Sequence, residues 1–139
     1  MNRYTLLALL LQGVAVLGSI TDCGAGKSLF TIDGLGYWPD PPTPGQNATI
    51  SFLYTVPDGT VPITDGTAEY AFSLNGIPFP ATVDPLCDDT HNCPIVPGQY
   101  NLTTTSAFPT GVSGKIATTI KWYDLAKTLL LCVQTVVRV

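Results

Sequence analysis

Few side chains in this chain are placed to do acid–base or nucleophilic chemistry. Its one histidine, His91, sits inside a short cysteine loop, Cys87-x5-Cys93. A hydrolase needs a base held beside a nucleophile and oriented by a third group, and nothing in the sequence positions His91 in that way. Asp84, Asp88 and Asp89 carry carboxylate oxygens, but their spacing does not match a calcium-binding loop. Gly24-Ala25-Gly26-Lys27-Ser28 ends like a phosphate-binding loop. It lacks the first glycine at the required spacing and follows a cysteine rather than a buried strand, so the match fails. Asp22 and Asp124 read as turn or surface acids. The expectation is a protein with no catalytic residues, no cofactor and no metal.

The four cysteines, Cys23, Cys87, Cys93 and Cys132, offer structural chemistry instead. A zinc site would need close C-x2-C pairs, which are absent. An even count in an exported chain implies two disulfides, with three possible connectivities. Among these the favoured reading is Cys87–Cys93 as a local loop and Cys23–Cys132 tying the two ends together. An exported chain is expected from the N-terminus. Arg3 supplies a positive start, Leu6 to Leu17 is an apolar run broken by Gln12 and Gly13, and Val16-Leu17-Gly18 offers a cleavage site before Ser19. At about twelve residues the run falls short of the roughly 20 needed to span a bilayer. Residues 1–18 thus read as a signal peptide and 19–139 as one domain, bound for the outside of the cell or for the lumen of a vacuole or lysosome.

The charge balance narrows the partners. Six basic side chains face ten acidic ones, and Arg3 lies in the leader. An acidic domain without a basic stripe is a poor ligand for nucleic acid. It also lacks the lysine and arginine clusters that hold proteins on anionic membranes, so any membrane contact would be brief and mostly apolar. Asn47-Ala-Thr49 and Asn101-Leu-Thr103 are acceptor tripeptides for glycosylation, which places both at the surface if used.

These residues must be carried by strands. Leu29 to Ile32 is short and apolar. Thr49 to Val56 alternates, with Ile50, Phe52 and Tyr54 on one face; Glu69 to Leu74 aligns Tyr70, Phe72 and Leu74. Gly98 to Thr105 gives another strand. Ile116, Thr118, Ile120 and Trp122 share a face of the next, and Leu129 to Val139 is rich in β-branched residues. Pro57-Asp58-Gly59, Thr64-Asp65-Gly66 and Asn75-Gly76 mark turns, and Tyr37 to Gly45 reads as a stiff proline connector. No segment shows a helical period. Six to eight short strands predict an all-β antiparallel sandwich or barrel.

Its inward faces carry many rings for so small a domain: Phe30, Phe52, Tyr54, Tyr70, Phe72, Phe79, Tyr100, Phe108 and Trp122. Composition alone favours a filled core, because interiors are close-packed. One stretch argues for more. Gly76 to Ile95 places Ile77, Phe79, Val83 and Leu86 in a proline-rich segment beside the cysteine loop. Apolar side chains in such a segment imply something apolar beneath it or a surface meant for contact.

Asp22-Cys23-Gly24, Pro39-Asp40-Pro41-Pro42-x-Pro44-Gly45-Gln46-Asn47-x-Thr49-Ile50, the Gly76 to Ile95 stretch, Trp122 and Leu131-Cys132-Val133 follow one another in an order that resembles the ML lipid-recognition domain family. The proline segment looks like that of the fungal phosphatidylglycerol/phosphatidylinositol transfer proteins. Gly-Ile-Pro-Phe-Pro and Asn-Cys-Pro-Ile look like the secreted sterol carriers of the Niemann-Pick type C kind. The likeness covers essentially the whole of residues 19–139. It implies an immunoglobulin-like β-sandwich whose sheets part to hold one lipid, and it supports the pairings Cys23–Cys132 and Cys87–Cys93. It also implies a lipid site drawn from Phe30, Ile50, Phe52, Tyr54, Tyr70, Phe72, Phe79, Ile95, Tyr100, Val112, Ile120, Trp122 and Val133. Phe79 would stand at the mouth and Trp122 deep inside. Two departures are visible. The connector Pro39 to Gly45 lacks the cysteines of the animal sterol carriers, and Val112-Ser113 stand where those carriers have a mouth tyrosine.

The implied function is a monomeric carrier that binds a sterol or a phospholipid and delivers it to a membrane, with Ile77 to Pro80 and Val112 making the contact. Handover to a membrane lipid-transport protein is one destination for the cargo. Presentation of a bound lipid to a receptor, as in innate immunity, is the alternative.

Overall fold

The strands form where the alternation predicts them, and several run further. The structure is a computed structural model that describes residues 18–40, 42–107, 110–111 and 113–138. The leader up to Leu17, Phe108 and Val112 lie outside these residues. Nine strands are present among the described residues: β1 Gly18–Asp22, β2 Thr31–Trp38, β3 Asn47–Val56, β4 Gly66–Leu74, β5 Ile77–Pro78, β6 Thr82–Pro85, β7 Gly98–Ala107, β8 Lys115–Asp124 and β9 Leu129–Arg138. All pair antiparallel, in two sheets. One has the order β1-β9-β8-β4, and the outer edge of β4 is shared by β5 and β6; the other is β2-β3-β7.

Strands β1, β5 and β6 were not expected from the sequence, and two further features were not legible beforehand. Strand β2 continues to Trp38, through residues expected to belong to the proline connector. Gly34 and Gly36 interrupt the apolar alternation, and the pairing with β3 slips at a bulge between Ile32 and Gly34, so period-2 patterning is lost there. A helix, α1, spans Leu86–Thr90 within and beside the cysteine loop. Five residues are too few to display a 3.6-residue period. What holds this turn is tertiary: Leu86 is fully buried, and Cys87 and Cys93 are bonded across it. The Asn75-Gly76 turn joins β4 to β5 with φ of 52° and 83°, the left-handed pair that a two-residue hairpin demands and that asparagine and glycine tolerate.

The disulfides pair as Cys23–Cys132 and Cys87–Cys93. The first joins the end of β1 to β9 and closes a loop with a sequence separation of 109. The Ile63–Ile95 bridge, with hydrogen bonds of 3.0 and 2.8 Å, ties the β3–β4 loop to the segment after the cysteine loop.

Between the sheets the interior divides in two. At one end lies a dense aromatic core. Trp122 of β8 stands edge-on to Tyr54 and Phe52 of β3, with centroids 5.4 and 5.5 Å away, and Phe30 stacks on Tyr54 at 5.6 Å. Val56, Leu86, Ile95, Leu131 and Val133 complete it, all at most 1 % exposed. Composition pointed to such a filled core, and at this end it is filled. At the other end the sheets enclose open space.

Candidate functional site

The open end is built from the same strands, a few residues further along. Alternation places Ala48 and Ile50 of β3, Thr104 and Ser106 of β7, Tyr70 of β4, Thr118 and Ile120 of β8, and Thr135 and Val137 of β9 toward the space between the sheets. These residues wall two adjoining cavities, of about 400 Å³ and about 80 Å³. The two share Ile50, Thr104, Ser106 and Thr118, so they form one slot. Its larger part is walled by Thr82 of β6 on one sheet edge and by Thr104 and Ser106 of β7 on the other. The slot therefore opens sideways between those two edges. Its smaller part reaches Tyr37 near the end of β2 and Pro42 in the proline segment that follows.

The walls are uncharged: no Asp, Glu, Lys or Arg lines either cavity among the described residues. Tyr70 donates its hydroxyl hydrogen to Asp89 Oδ2 at 2.7 Å. Burial, reinforced by Asp89 as acceptor and as a nearby charge, holds the Tyr70 phenol above the usual tyrosine range. Tyr37 is raised by burial and by its hydrogen bond to Asp40 at 2.7 Å. Asp89 therefore anchors a cavity wall to helix α1, and the cysteine loop supports the slot through that bond. His91, next along, is exposed and ends the helix with φ of 58°. Among the described residues, no group of three or more His, Cys, Asp or Glu side chains gathers to hold a metal ion.

The residues expected at a lipid site fall into three places. Ile50, Tyr70 and Ile120 wall the slot. Phe30, Phe52, Tyr54, Ile95, Trp122 and Val133 are packed in the aromatic core, and none of them walls either cavity. Tyr100 packs against that core, 5.6 Å from Tyr54, and donates its hydroxyl hydrogen to the Val96 carbonyl at 2.8 Å. Phe72 and Phe79 form a stacked pair, centroids 5.1 Å apart, at the β4–β5 edge. Phe72 is the next inward residue after Tyr70 and is paired with Thr118 of β8, but neither ring walls the cavities. Ile77 and Phe79, at 66 % and 46 % exposure, make an apolar edge at β5, while Val83, 57 % exposed, is paired with Glu69 on the face turned away from the slot.

Sequence reasoning missed the hydroxyls. Thr104, Ser106, Thr118 and Thr135 wall the slot, and the signal for two of them was present. Thr118 lies between Ile116 and Ile120 on the inward face of β8, and Thr135 between Val133 and Val137 on that of β9. Asn47 and Asn101 are both exposed, on the outer face of the three-stranded sheet. Further hollows, of about 270 Å³ each, lie at the opposite end, among the turns that carry Val61, Ile63 and Leu125.

A two-sheet sandwich with an uncharged slot between its sheets defines a class of small-ligand binding domains. The pattern of the ML domain matches residues 19–139, and the chain belongs to that family. It is 30 % identical over 122 residues to the phosphatidylglycerol/phosphatidylinositol transfer protein of Mycosarcoma maydis, across 82 % of this chain and 62 % of that relative. The protein of the same name from Cryptococcus neoformans var. neoformans serotype D is 24 % identical over 127 residues, across 84 % and 67 %. The chain thus spans about two thirds or less of the length of these relatives. Among solved structures, a Niemann-Pick type C2 protein from Japanese carpenter ant superposes with a TM-score of 0.63 at 15 % identity, across 86 % of this chain and 98 % of that one. Chicken MD-1 complexed with lipid IVa gives 0.52 at 12 % identity, across 86 % of each chain. At these identities the structures share the fold.

Proposed function

We propose that this protein is a non-enzymatic lipid carrier that shelters one phospholipid in the slot and transfers it between membranes. The observation that carries the reading is the slot itself: about 400 Å³ of space between two sheets, uncharged and open along one side, in a domain with an exposed apolar edge at β5. Removing apolar surface from water is worth roughly 25 cal/mol per Å², so shelter alone supplies the affinity. Sites of this kind are mostly apolar, with a few polar groups that orient the ligand. The names of the fungal relatives support a phosphatidylglycerol or phosphatidylinositol cargo. The two disulfides support residence in an oxidising compartment, reached by the secretory route that the leader suggests.

The test is transfer between vesicles. Donor vesicles of phosphatidylcholine carry fluorescent phosphatidylglycerol, phosphatidylinositol or a sterol, and native mass spectrometry of the exported protein identifies what it holds. Phospholipid bound one to one and protein-dependent transfer are expected. Stoichiometric sterol would assign the carrier to the other cargo. A protein that takes up neither class would end the carrier reading, and one that binds without transferring would indicate presentation to a receptor.

A further inference from the structure

We infer that the slot carries a hydroxyl collar, Thr104 and Ser106 on one sheet and Thr118 and Thr135 on the other, that selects a glycerophospholipid over a sterol by bonding its ester region. The inference rests on the carrier reading above and names the part of the ligand that the slot recognises.

The collar is a product of register. Thr118 of β8 is paired directly with Thr135 of β9, and on the opposite sheet Thr104 pairs with Ile50 and Ser106 with Ala48. All four hydroxyl residues wall the smaller cavity, and three of them wall the larger as well. Thr135 is 7 % exposed, Thr104 and Thr118 are half-buried and Ser106 is exposed, and no side-chain hydrogen bond within the protein is seen for any of the four among the described residues. A hydroxyl that a ligand cuts off from water is unfavourable without a partner, so a cargo that fills the slot must bond these groups.

Chemistry chooses the filler. A hydroxyl donates one hydrogen and accepts at two lone pairs. The glycerol region of a glycerophospholipid brings several acceptors, its ester carbonyls among them, at the junction of head and chains. A sterol brings a single hydroxyl, so most of the collar would stay unpaired against its rings. The phosphate belongs outside, since it calls for arginine, lysine or clustered N–H groups, and no cation lines the walls among the described residues. Tyr70 adds direction. Its hydrogen is committed to Asp89, so toward the slot it offers only acceptor lone pairs, suited to a headgroup hydroxyl of glycerol or inositol. Rejection by unpaired polar groups discriminates more strongly than a change of apolar shape.

The test is a competition: vesicles containing equal mole fractions of phosphatidylglycerol and cholesterol in phosphatidylcholine, with the bound lipids quantified after re-isolation of the protein. Wild type is expected to hold phosphatidylglycerol over cholesterol. Thr118→Val with Thr135→Val, which removes the hydroxyls and keeps the shape, should lower that preference by at least about 10-fold, at roughly one net hydrogen bond per hydroxyl. The thermal midpoint of the lipid-free variant should not fall, because no bond within the protein is lost. Should that pair fail to fold, Thr104→Val with Ser106→Ala tests the same collar from the other sheet. An unchanged preference in a folded, lipid-carrying variant would overturn the collar and leave the carrier reading standing. Equal uptake of both lipids by wild type would overturn it too. Phosphatidylcholine taken up in place of cholesterol counts for the collar, since it carries the same ester region, whereas uptake of no lipid at all by wild type would defeat the carrier reading itself.

Discussion

Trp122 offers the sharpest check on how the interior is divided, because its indole is fully buried and its Nε1 has no hydrogen-bond partner. Replacing it with phenylalanine keeps a ring against Tyr54 and Phe52 and deletes two carbons and the N–H. At about 0.8 kcal/mol per carbon-sized group, the lost burial costs roughly 1.6 kcal/mol. Deleting an unsatisfied buried donor returns about 1–3 kcal/mol. The terms oppose each other, so Trp122→Phe should lie within about 1.5 kcal/mol of wild type in either direction. Trp122→Ala loses the ring and leaves a cavity, for about 3–5 kcal/mol, toward the lower end because the unpaired N–H goes as well. Urea unfolding with both disulfides intact separates the two. The alanine variant should move the midpoint down by about 2 M at a typical slope, with the slope itself unchanged, while the phenylalanine variant should barely move it. Transfer by Trp122→Phe should equal that of wild type, since Trp122 is not part of the slot wall. A phenylalanine variant as unstable as the alanine one would show that the indole N–H is bonded. A phenylalanine variant that folds normally but carries no lipid would show that the cargo reaches the aromatic core. Either result would refute the division.

Removing Cys23–Cys132 by double serine substitution should cost about 5 kcal/mol, against about 2 kcal/mol for Cys87–Cys93, because chain entropy scales with the closed loop, 109 against 6 in sequence separation; urea midpoints of the two variants decide, and the reverse order would contradict that account. The Tyr37, Tyr54 and Tyr70 phenols are all raised, chiefly by burial. Their protonated forms are favoured by folding, so this stability is complete below the unfolded tyrosine value near pH 10 and is lost as pH rises through the folded values; Tyr70→Phe should flatten the alkaline fall. Ile77→Ser, at a side chain 66 % exposed, should leave stability within about 0.5 kcal/mol while slowing transfer between vesicles. Expressed through a eukaryotic secretory route, Asn47→Gln and Asn101→Gln should each remove one glycan by mass and leave transfer unchanged, since both asparagines lie on the outer face of the three-stranded sheet.

Much of this molecule is determined by the sequence alone, and for local reasons. Alternation over Thr49–Val56, Glu69–Leu74 and Ile116–Trp122 assigns each side chain to a face regardless of partner, so the all-β class and the inward set Ile50, Phe52, Tyr54, Tyr70, Ile120 and Trp122 could be read directly. Asn75-Gly76 dictates its own turn. The even cysteine count implied two disulfides and favoured the pairing Cys87–Cys93 with Cys23–Cys132 among three connectivities; only the fold shows why the distant pair meets, because Cys23 and Cys132 come together once β1 lies on β9. Strand β2 beyond Ile32 and helix α1 escaped notice because a bulge erased one period and brevity hid the other.

What tertiary structure alone decided is where the inward residues are dense and where they part. Inwardness follows from period 2 along a single strand, whereas space depends on what stands opposite. Trp122 and Thr118 share one face of β8, four residues apart. The first meets Tyr54 and Phe52 and packs solid. The second meets the short side chains of Thr104, Ser106 and Thr135, which cannot bridge the gap between the sheets, and a slot remains. Phe30, Phe52, Tyr54 and Trp122, which stood out in the sequence, thus became the core. The slot is walled in large part by small hydroxyl residues, which register brings together from strands far apart in the chain.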